Sequence, residues 1–322
     1  MVDNKIRVTI IGAGKYGKEL IAPKYLASPA CQLISVVSKS KSSKDFAGTA
    51  LEGIPVLKSM DAWKKKFGSP HSHDVFDICV PTVEVIKTVN ALGRIGAKKI
   101  ILPKPVAVTQ KDLHNLSSMI AKYEMKAVVS SQWHYSGITH ALAAAINGEK
   151  GIRKVKVEFS QKLDDKRFPH YDSINMLLPH IIQILESISF KLENFEVSVD
   201  ELSKHRLVAT LANTAGNSLS IEIITDLLAE KHVRKVWVWK NETKPVIVAD
   251  FMARYENNHI VEKPSLTIRG KKRSFNEDTL ALMVNQNLKY FSTKTNNALS
   301  YKKYLPVARM ILKIVDAASA RV

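Results

Sequence analysis

The chain is short of cysteine, of acidic residues and of long apolar runs. Only Cys31 and Cys79 occur in 322 residues, too few for a disulfide scaffold or a cysteine metal site. Both stand in apolar, strand-like runs and read as buried free thiols. No stretch reaches the roughly eighteen uninterrupted apolar residues that a membrane helix requires, so no membrane partner is expected. The opening residues, MVDNKIRV, lack the apolar core of a secretory signal, and a cytoplasmic location is expected. No spacing of His, Cys, Asp and Glu resembles a metal site, and no serine or cysteine nucleophile motif is found. Internal repeats and low-complexity tracts are lacking too.

The acid deficit leaves a net charge of +18, from 48 Lys and Arg against 30 Asp and Glu. Such a charge first suggests a nucleic-acid surface. The basic residues are dispersed, however, through KSKSSK (39–44), KKK (64–66), RGKKR (269–273) and YKKY (301–304), with no DNA- or RNA-binding motif. Nucleic acid is therefore disfavoured. Solvated lysine, or attraction of an anionic small substrate or cofactor, are the readings that remain.

What is present points to an α/β protein of two domains. The hydrophobic content of 45% suits a globular protein, and the length exceeds one compact core. Ile6–Ile11, QLISVVS (32–38), VFDICVP (75–81), KKIILPK (98–104) and KAVVSS (126–131) read as strands buried on both faces. Helical patterns separate them: Lys15 to about Leu26, kinked or divided at Pro23; SMDAWKKKF (59–67) with a Ser59 cap; 83–96, stopped by Gly96; and 109–125 with a Thr109 cap. Strands alternating with helices of this length imply βαβ units and a parallel, doubly wound sheet.

Gly12, Gly14 and Gly17, in RVTIIGAGKYGKEL (7–20), fall where the first strand ends and the first helix begins. In such a turn the first glycine permits the tight bend and the second lets backbone approach a pyrophosphate. The third lets helix and strand pack closely, with the helix N-terminus facing the anion. Dinucleotide binding is the reading of this context, against an ordinary glycine-rich turn. At the end of the second strand, where NAD sites usually carry an acid, stand Ser38, Lys39, Ser40 and Lys41. A carboxylate would repel a 2′-phosphate, whereas hydroxyl and ammonium groups would bind it. NADP(H) is preferred, with NAD(H) still open. The expected cofactor contacts are Gly12, Ala13, Gly14, Lys15, Tyr16, Gly17, Ser38, Lys39, Ser40, Lys41, Val80, Pro81, Thr82, Lys104 and Pro105.

With the N-terminal fingerprint, ILPKPVAVT (101–109) resembles the Gfo/Idh/MocA family of NAD(P)-dependent oxidoreductases. The family's segment reads Glu-Lys-Pro, an apolar residue, a small residue and Thr; here Pro103 replaces the Glu, while Lys104, Pro105 and Thr109 stand in place. The resemblance implies a Rossmann domain over residues 1–131. An α+β substrate-binding and oligomerisation domain with a large, mostly antiparallel sheet follows over 132–322, its C-terminal helix packing back toward the first domain. It also implies a cis Lys-Pro bond that aims Lys104 at nicotinamide and substrate, and a homodimer or homotetramer. Strand-like runs at 152–161, 205–212, 217–225, 233–240 and 244–251, and helices at about 276–291 and 300–319, fit this plan independently.

The family's second signature is a helix bearing Asp-x-x-x-His-x-x-Asp. Aligned with SINMLLPHIIQILESI (173–188), it places His180 at the histidine, and Met176 and Gln183 where carboxylates often stand. By the resemblance Lys104 and His180 are the catalytic candidates, Lys104 hydrogen-bonding the reacting heteroatom and exchanging its proton if its pKa is lowered, His180 sharing that duty. His180 also reads as a core histidine on an apolar helix. Gln132, Trp133, His134 and Tyr135 join His180 and Gln183 as candidate substrate contacts, or else form aromatic packing between domains. Arg167, His170 and Tyr171 are further candidates on a polar loop. The implied chemistry is hydride transfer to or from a small polar carbonyl or secondary alcohol, with imine reduction or a non-catalytic NADP(H) sensor as alternatives.

Overall fold

Ile6–Ile11 (β1) is buried at every position but Arg7. A strand wrapped on both faces in this way forms the middle of a parallel sheet, and β1 is central here. The computed structural model describes residues 5–162, 172–188, 190–214, 218–241, 243–252, 254–256, 259–293 and 298–320. The chain divides into Met1–Gln132 with Asp278–Leu305, and Trp133–Glu277 with Pro306–Val322. The cut expected at 131/132 lies at 132/133, and the chain crosses back twice more. Thr279–Ser292 (α8) groups with the first unit, whereas the last helix, Tyr301–Ser319 (α9), groups with the second from Pro306 onward.

In the first unit β1 pairs in parallel with Cys31–Val37 (β2) and Asp74–Ile78 (β4). The six-stranded order is β3-β2-β1-β4-β5-β6, with Val56–Leu57 as β3, Lys99–Leu102 as β5 and Lys126–Val129 as β6. This is a doubly wound parallel sheet. The order reverses between β1 and β4, which opens a crevice beyond their carboxyl ends. The far edge is sealed by the chain's return: the Val129 amide donates to the Leu299 carbonyl (2.9 Å), and Val128 bridges Ser300.

The helices begin and end for local reasons. Met60–Phe67 (α2) is capped by Ser59 Oγ, which accepts from the Ala62 amide (3.1 Å). Thr109 caps Gln110–Lys122 (α4) in the same way, at 3.0 Å from the Asp112 amide. Val85–Ile95 (α3) stops at Gly96, whose φ of +93° suits a left-handed cap. The first helix is divided next to Pro23, one of the two outcomes expected there. Tyr16–Ile21 is a π-helical turn running into Ala22–Ala27 (α1), so Pro23 lies in the first turn of α1, where its missing N–H costs no bond, rather than at a kink.

The second unit is built on an eight-stranded sheet of order β16-β15-β12-β11-β7-β10-β9-β8. Its strands are Lys154–Lys162 (β7), Phe195–Leu202 (β8), Arg206–Asn213 (β9), Ser220–Asp226 (β10), Leu228–Trp239 (β11), Ile247–Asp250 (β12), Ser265–Ile268 (β15) and Lys271–Ser274 (β16). Arg254–Glu256 (β13) and His259–Glu262 (β14) form a separate pair. Only β7 and β10 run parallel among the paired strands of the large sheet. One face buries Val155, Val157, Phe159, Ile221, Ile223, Val236 and Val238 beneath Gly137–Asn147 (α5), Ser173–Met176 (α6) and Leu178–Ser187 (α7). The other carries Lys154 and Lys156 over the rings of Trp239 and Trp237. The helix expected over 173–188 is broken at Leu177, because Pro179 opens a new first turn. No helix among the described residues is long and apolar enough to cross a membrane.

The first core has a polar knot in its interior. Trp63 Nε1 lies 3.0 Å from Thr9 Oγ1 and 3.1 Å from Ser35 Oγ, and its ring packs edge-on against Phe76 at 5.0 Å. Trp63→Ala is expected to destabilise the fold by about 3–5 kcal/mol, read from the shift in the urea unfolding midpoint.

Candidate functional site

The crevice beyond β1 and β4 is a cleft of about 730 Å³. Gly12 has φ +102°, and a Cβ there would lie 2.6 Å from the Cys79 carbonyl oxygen. The turn is thus pressed against the end of β4, and the Gly12 amide donates to the Val37 carbonyl at 2.9 Å. A Cβ on Gly17 would meet the Gly12 carbonyl at 2.6 Å, so helix and strand pack backbone to backbone. Gly14 differs from both: a Cβ there would meet nothing within 4 Å. Protein packing does not require Gly14, but the close approach of a diphosphate does. That space, beside the first helical N–H groups, fits the phosphates of a dinucleotide.

Of the expected cofactor contacts, Gly12, Ala13, Gly14, Ser38, Lys39, Ser40, Lys41, Val80 and Pro81 line this cleft. Lys15, Tyr16, Gly17, Thr82, Lys104 and Pro105 do not. Thr82 lines a second cleft of about 430 Å³ with Val106, Ala107 and Met119. Lys104 is half-buried, and the Lys104–Pro105 bond is cis. The cleft also holds Lys58, Lys87 and Arg94, so five basic side chains face Asp61 and Glu84. Lys58 Nζ donates to the Lys41 carbonyl (2.9 Å) and lies 3.5 Å from that of Lys39, holding the loop after β2. Lys39 reaches Glu84 at 3.5 Å. Lys58 went unnoticed in the sequence because the two-residue strand before it is too short to show a period. Lys87, Ala91 and Arg94 carry a usable signal, the i, i+4, i+7 spacing of one helix face.

Beneath the turn lies a buried titratable cluster. Tyr25 Oη donates to Asp77 Oδ2 (2.7 Å), and Asp77 is also hydrogen-bonded to the Cys79 side chain. Burial pushes the Asp77 carboxyl up to about 7, outweighing the hydrogen bonds that favour its anion. The Tyr25 and Cys79 groups are pushed up by burial first and by the Asp77 charge second. Cys31 and Cys79 are both free thiols.

In the second unit, His180 lies in an aromatic setting. Its ring stacks on Phe159 (6.1 Å, 29°) and meets Trp133 edge-on at 6.4 Å. Trp133 in turn meets Phe251 edge-on at 5.1 Å. Trp133 is buried, and Nε1 has no hydrogen-bond partner among the described residues. Gln183 is fully buried; Nε2 donates to Ser187 Oγ (3.1 Å), which lies 3.5 Å from His134 Nδ1. Gln183 Oε1 has no partner among the described residues. His134 and Tyr135 pack edge-on at 4.9 Å, while Gln132 groups with the first unit. Glu186, absent from the sequence-derived set, is pushed up to about 7 by burial and then by Glu193. Arg167, His170 and Tyr171 lie outside the described residues.

Residues 6–131 match the family described as an oxidoreductase family with an NAD-binding Rossmann fold, Gfo/Idh/MocA. The match spans the first domain. No curated protein sequence matches the chain. Solved structures match over nearly its whole length. An aldose–aldose oxidoreductase from Caulobacter crescentus, complexed with glycerol, is 13% identical with a TM-score of 0.78, covering 99% of this chain and 98% of that one. A UDP-N-acetylglucosamine 3-dehydrogenase from Acidithiobacillus ferrooxidans is 16% identical with a TM-score of 0.74, covering 98% and 97%. A 3-ketoreductase from Actinomadura kijaniata, in complex with TDP-benzene and NADP, is 12% identical with a TM-score of 0.74, covering 97% and 96%. At these identities the likeness is one of fold, and it extends through the second unit.

Three outcomes follow for this domain. Gly14→Ala is expected to leave the thermal midpoint unchanged while weakening binding of a reduced nicotinamide dinucleotide at least about tenfold, or about 1.4 kcal/mol, in a fluorescence titration. Gly12→Ala, strained at positive φ, is expected to lower both. Asp77 gives a pH dependence. A carboxyl raised in the folded state keeps its proton after the unfolded chain has lost its own. Folding therefore takes up a proton between about pH 4 and about pH 7, and stability falls as pH rises through that window. Asp77→Asn keeps an acceptor for Tyr25 and removes this dependence. Its stability relative to wild type is expected to rise by up to about 4 kcal/mol from pH 4 to pH 8, measured by urea unfolding.

Proposed function

We propose that the protein is an NADP(H)-dependent oxidoreductase acting on a small polar carbonyl or secondary alcohol of the sugar-derivative class. The basic end of the cleft carries this reading. The 2′ end of a bound dinucleotide would meet Ser38, Lys39, Ser40 and Lys41, backed by Lys58 and Arg94, where an NAD site would offer an acid. The substrate class is supported by the named activities of the structural relatives on aldoses, a nucleotide sugar and a ketone. Nicotinamide supplies or accepts the hydride when bound. Lys104 holds the reacting oxygen by a hydrogen bond and moves its proton, and His180, Gln183, Trp133, His134 and Tyr135 orient the substrate. A cytoplasmic location belongs to the same reading. So does a homodimer or homotetramer formed through the sheet face of Trp237 and Trp239.

A second reading is favoured by one observation. Met176 and Gln183 occupy the positions at which this helix commonly carries carboxylates in the family, and Gln183 is fully buried. A site without those acids suits an imine or cyclic imine, which needs no hydroxyl-binding carboxylate.

NADPH and NADH titrations decide the cofactor. Wild type is expected to bind NADPH the more tightly, and Lys39→Glu with Lys41→Glu to weaken NADPH at least about tenfold, the scale of one charge-assisted contact, while sparing NADH. Equal affinities in wild type would remove the NADP(H) assignment. Following NADPH absorbance over ketoses, aldoses and cyclic imines separates the two enzyme readings. There Lys104→Met is expected to lower kcat by about 10²-fold or more with NADPH affinity unchanged. Turnover of none of these, with NADPH bound, would favour a non-catalytic sensor.

A further inference from the structure

The helix-covered face of the large sheet carries one cation in an apolar row. Along this face β11 alternates Arg234, Val236 and Val238, and the two valines are fully buried. In register across the sheet, Thr225 of β10 and Arg234 of β11 flank Phe159 of β7. The Phe251 amide donates to the Arg234 carbonyl at 2.8 Å, which continues the row. Arg234 thus stands between the two phenylalanines that contact Trp133, one of which also stacks on His180.

A guanidinium half-withdrawn from water is ordinarily matched by a carboxylate. Among the described residues Arg234 makes no ion pair, and its side-chain hydrogen bond goes to neutral Gln161 Oε1, from Nη2 at 3.3 Å. Burial lowers its proton affinity, with no acid to raise it. Other groups of this layer are also short of partners. Trp133 Nε1 and the buried Thr225 Oγ1, which follows Arg234 and Phe159 in the row, have none among the described residues. Arginines on the opposite face differ: Arg206 is held by both Glu201 and Asp226. A planar fork with five donors leaves sites for a bidentate oxyanion once Gln161 is served.

We propose that Arg234 is a specificity-determining residue that binds an oxyanion, carboxylate or phosphoryl, on the substrate. The inference rests on the oxidoreductase reading above and deepens it: the substrate is an acidic sugar derivative rather than a neutral polyol. Arg234 binds and orients, and takes no part in proton or hydride transfer.

The test is calorimetric titration of the NADPH-saturated protein with D-glucuronate, D-glucose 6-phosphate and D-glucose. At least one of the two anions is expected to bind tenfold or more tightly than glucose, and the stronger one identifies the oxyanion. Arg234→Gln is expected to abolish that preference, and Arg234→Lys to retain part of it, with the NADPH affinity of both variants at the wild-type value. Anions that bind no better than glucose, or a preference that survives in Arg234→Gln, would overturn the proposal. So would loss of binding in Arg234→Gln restored neither in part nor in whole by Arg234→Lys. Failure of NADPH to bind wild type is scored separately, in the preceding titration, and counts against the cofactor reading instead.

Discussion

The contact between the backbone at Gly12 and the end of β4 is the constraint on which the first unit depends. A turn so seated that any Cβ would fall 2.6 Å from the Cys79 carbonyl oxygen sets the direction of the first helix, and Gly17 then lets that helix lie against the turn itself. The crevice between β1 and β4 is the space left over, and its rim is filled by whatever follows each strand. β2 contributes a loop of serines and lysines, held by Lys58. The 3₁₀ turn after β4 contributes Glu84, which Lys39 partly neutralises. Backbone geometry therefore decides that an anion is accommodated, and the side chains decide how much charge it carries.

The Rossmann half was readable in the sequence because parallel strands buried on both faces leave unbroken apolar runs, and because Gly12, Gly17, Ser59, Gly96 and Thr109 each have one dominant structural use. The second half was readable where strands alternate, as in β7, β9, β10 and β11. β8 was missed because glutamates interrupt its pattern, and β16 because Lys271–Ser274 is wholly exposed. The break at Pro179 was missed for one reason. A proline breaks a helix it stands inside but opens a helix it stands at the start of, and sequence alone does not show which turn is first. Arg234 was hidden for another: a basic residue in VRKVWVWK looks like one more solvated position until strand register places it on the apolar face.

Buried polarity is met in two ways. In the first, Thr9, Ser35 and Trp63 satisfy one another, and Tyr25 caps Asp77. A closed network of this kind makes one arrangement of the core better than its competitors. In the second, Trp133, Gln183 and Thr225 keep polar atoms without partners among the described residues. Open valences are costly to folding, and they concentrate on the layer that also carries His180 and Arg234. Ser131 Oγ and Tyr304 Oη of the first unit are open in the same way among the described residues, so open valences are not confined to the second unit.

The return of residues 298–300 to the margin of the Rossmann sheet has a consequence for biosynthesis. β6 leaves the ribosome some 170 residues before Leu299 and Ser300 arrive to pair with it. At ordinary elongation rates of about 5–20 residues per second, its outer hydrogen-bonding groups stay open for roughly 10–30 s. An uncovered strand margin is a template for association with other nascent chains. Maturation of the N-terminal half is therefore tied to completion of translation, and premature termination anywhere in the intervening 170 residues would release a chain with an adhesive border.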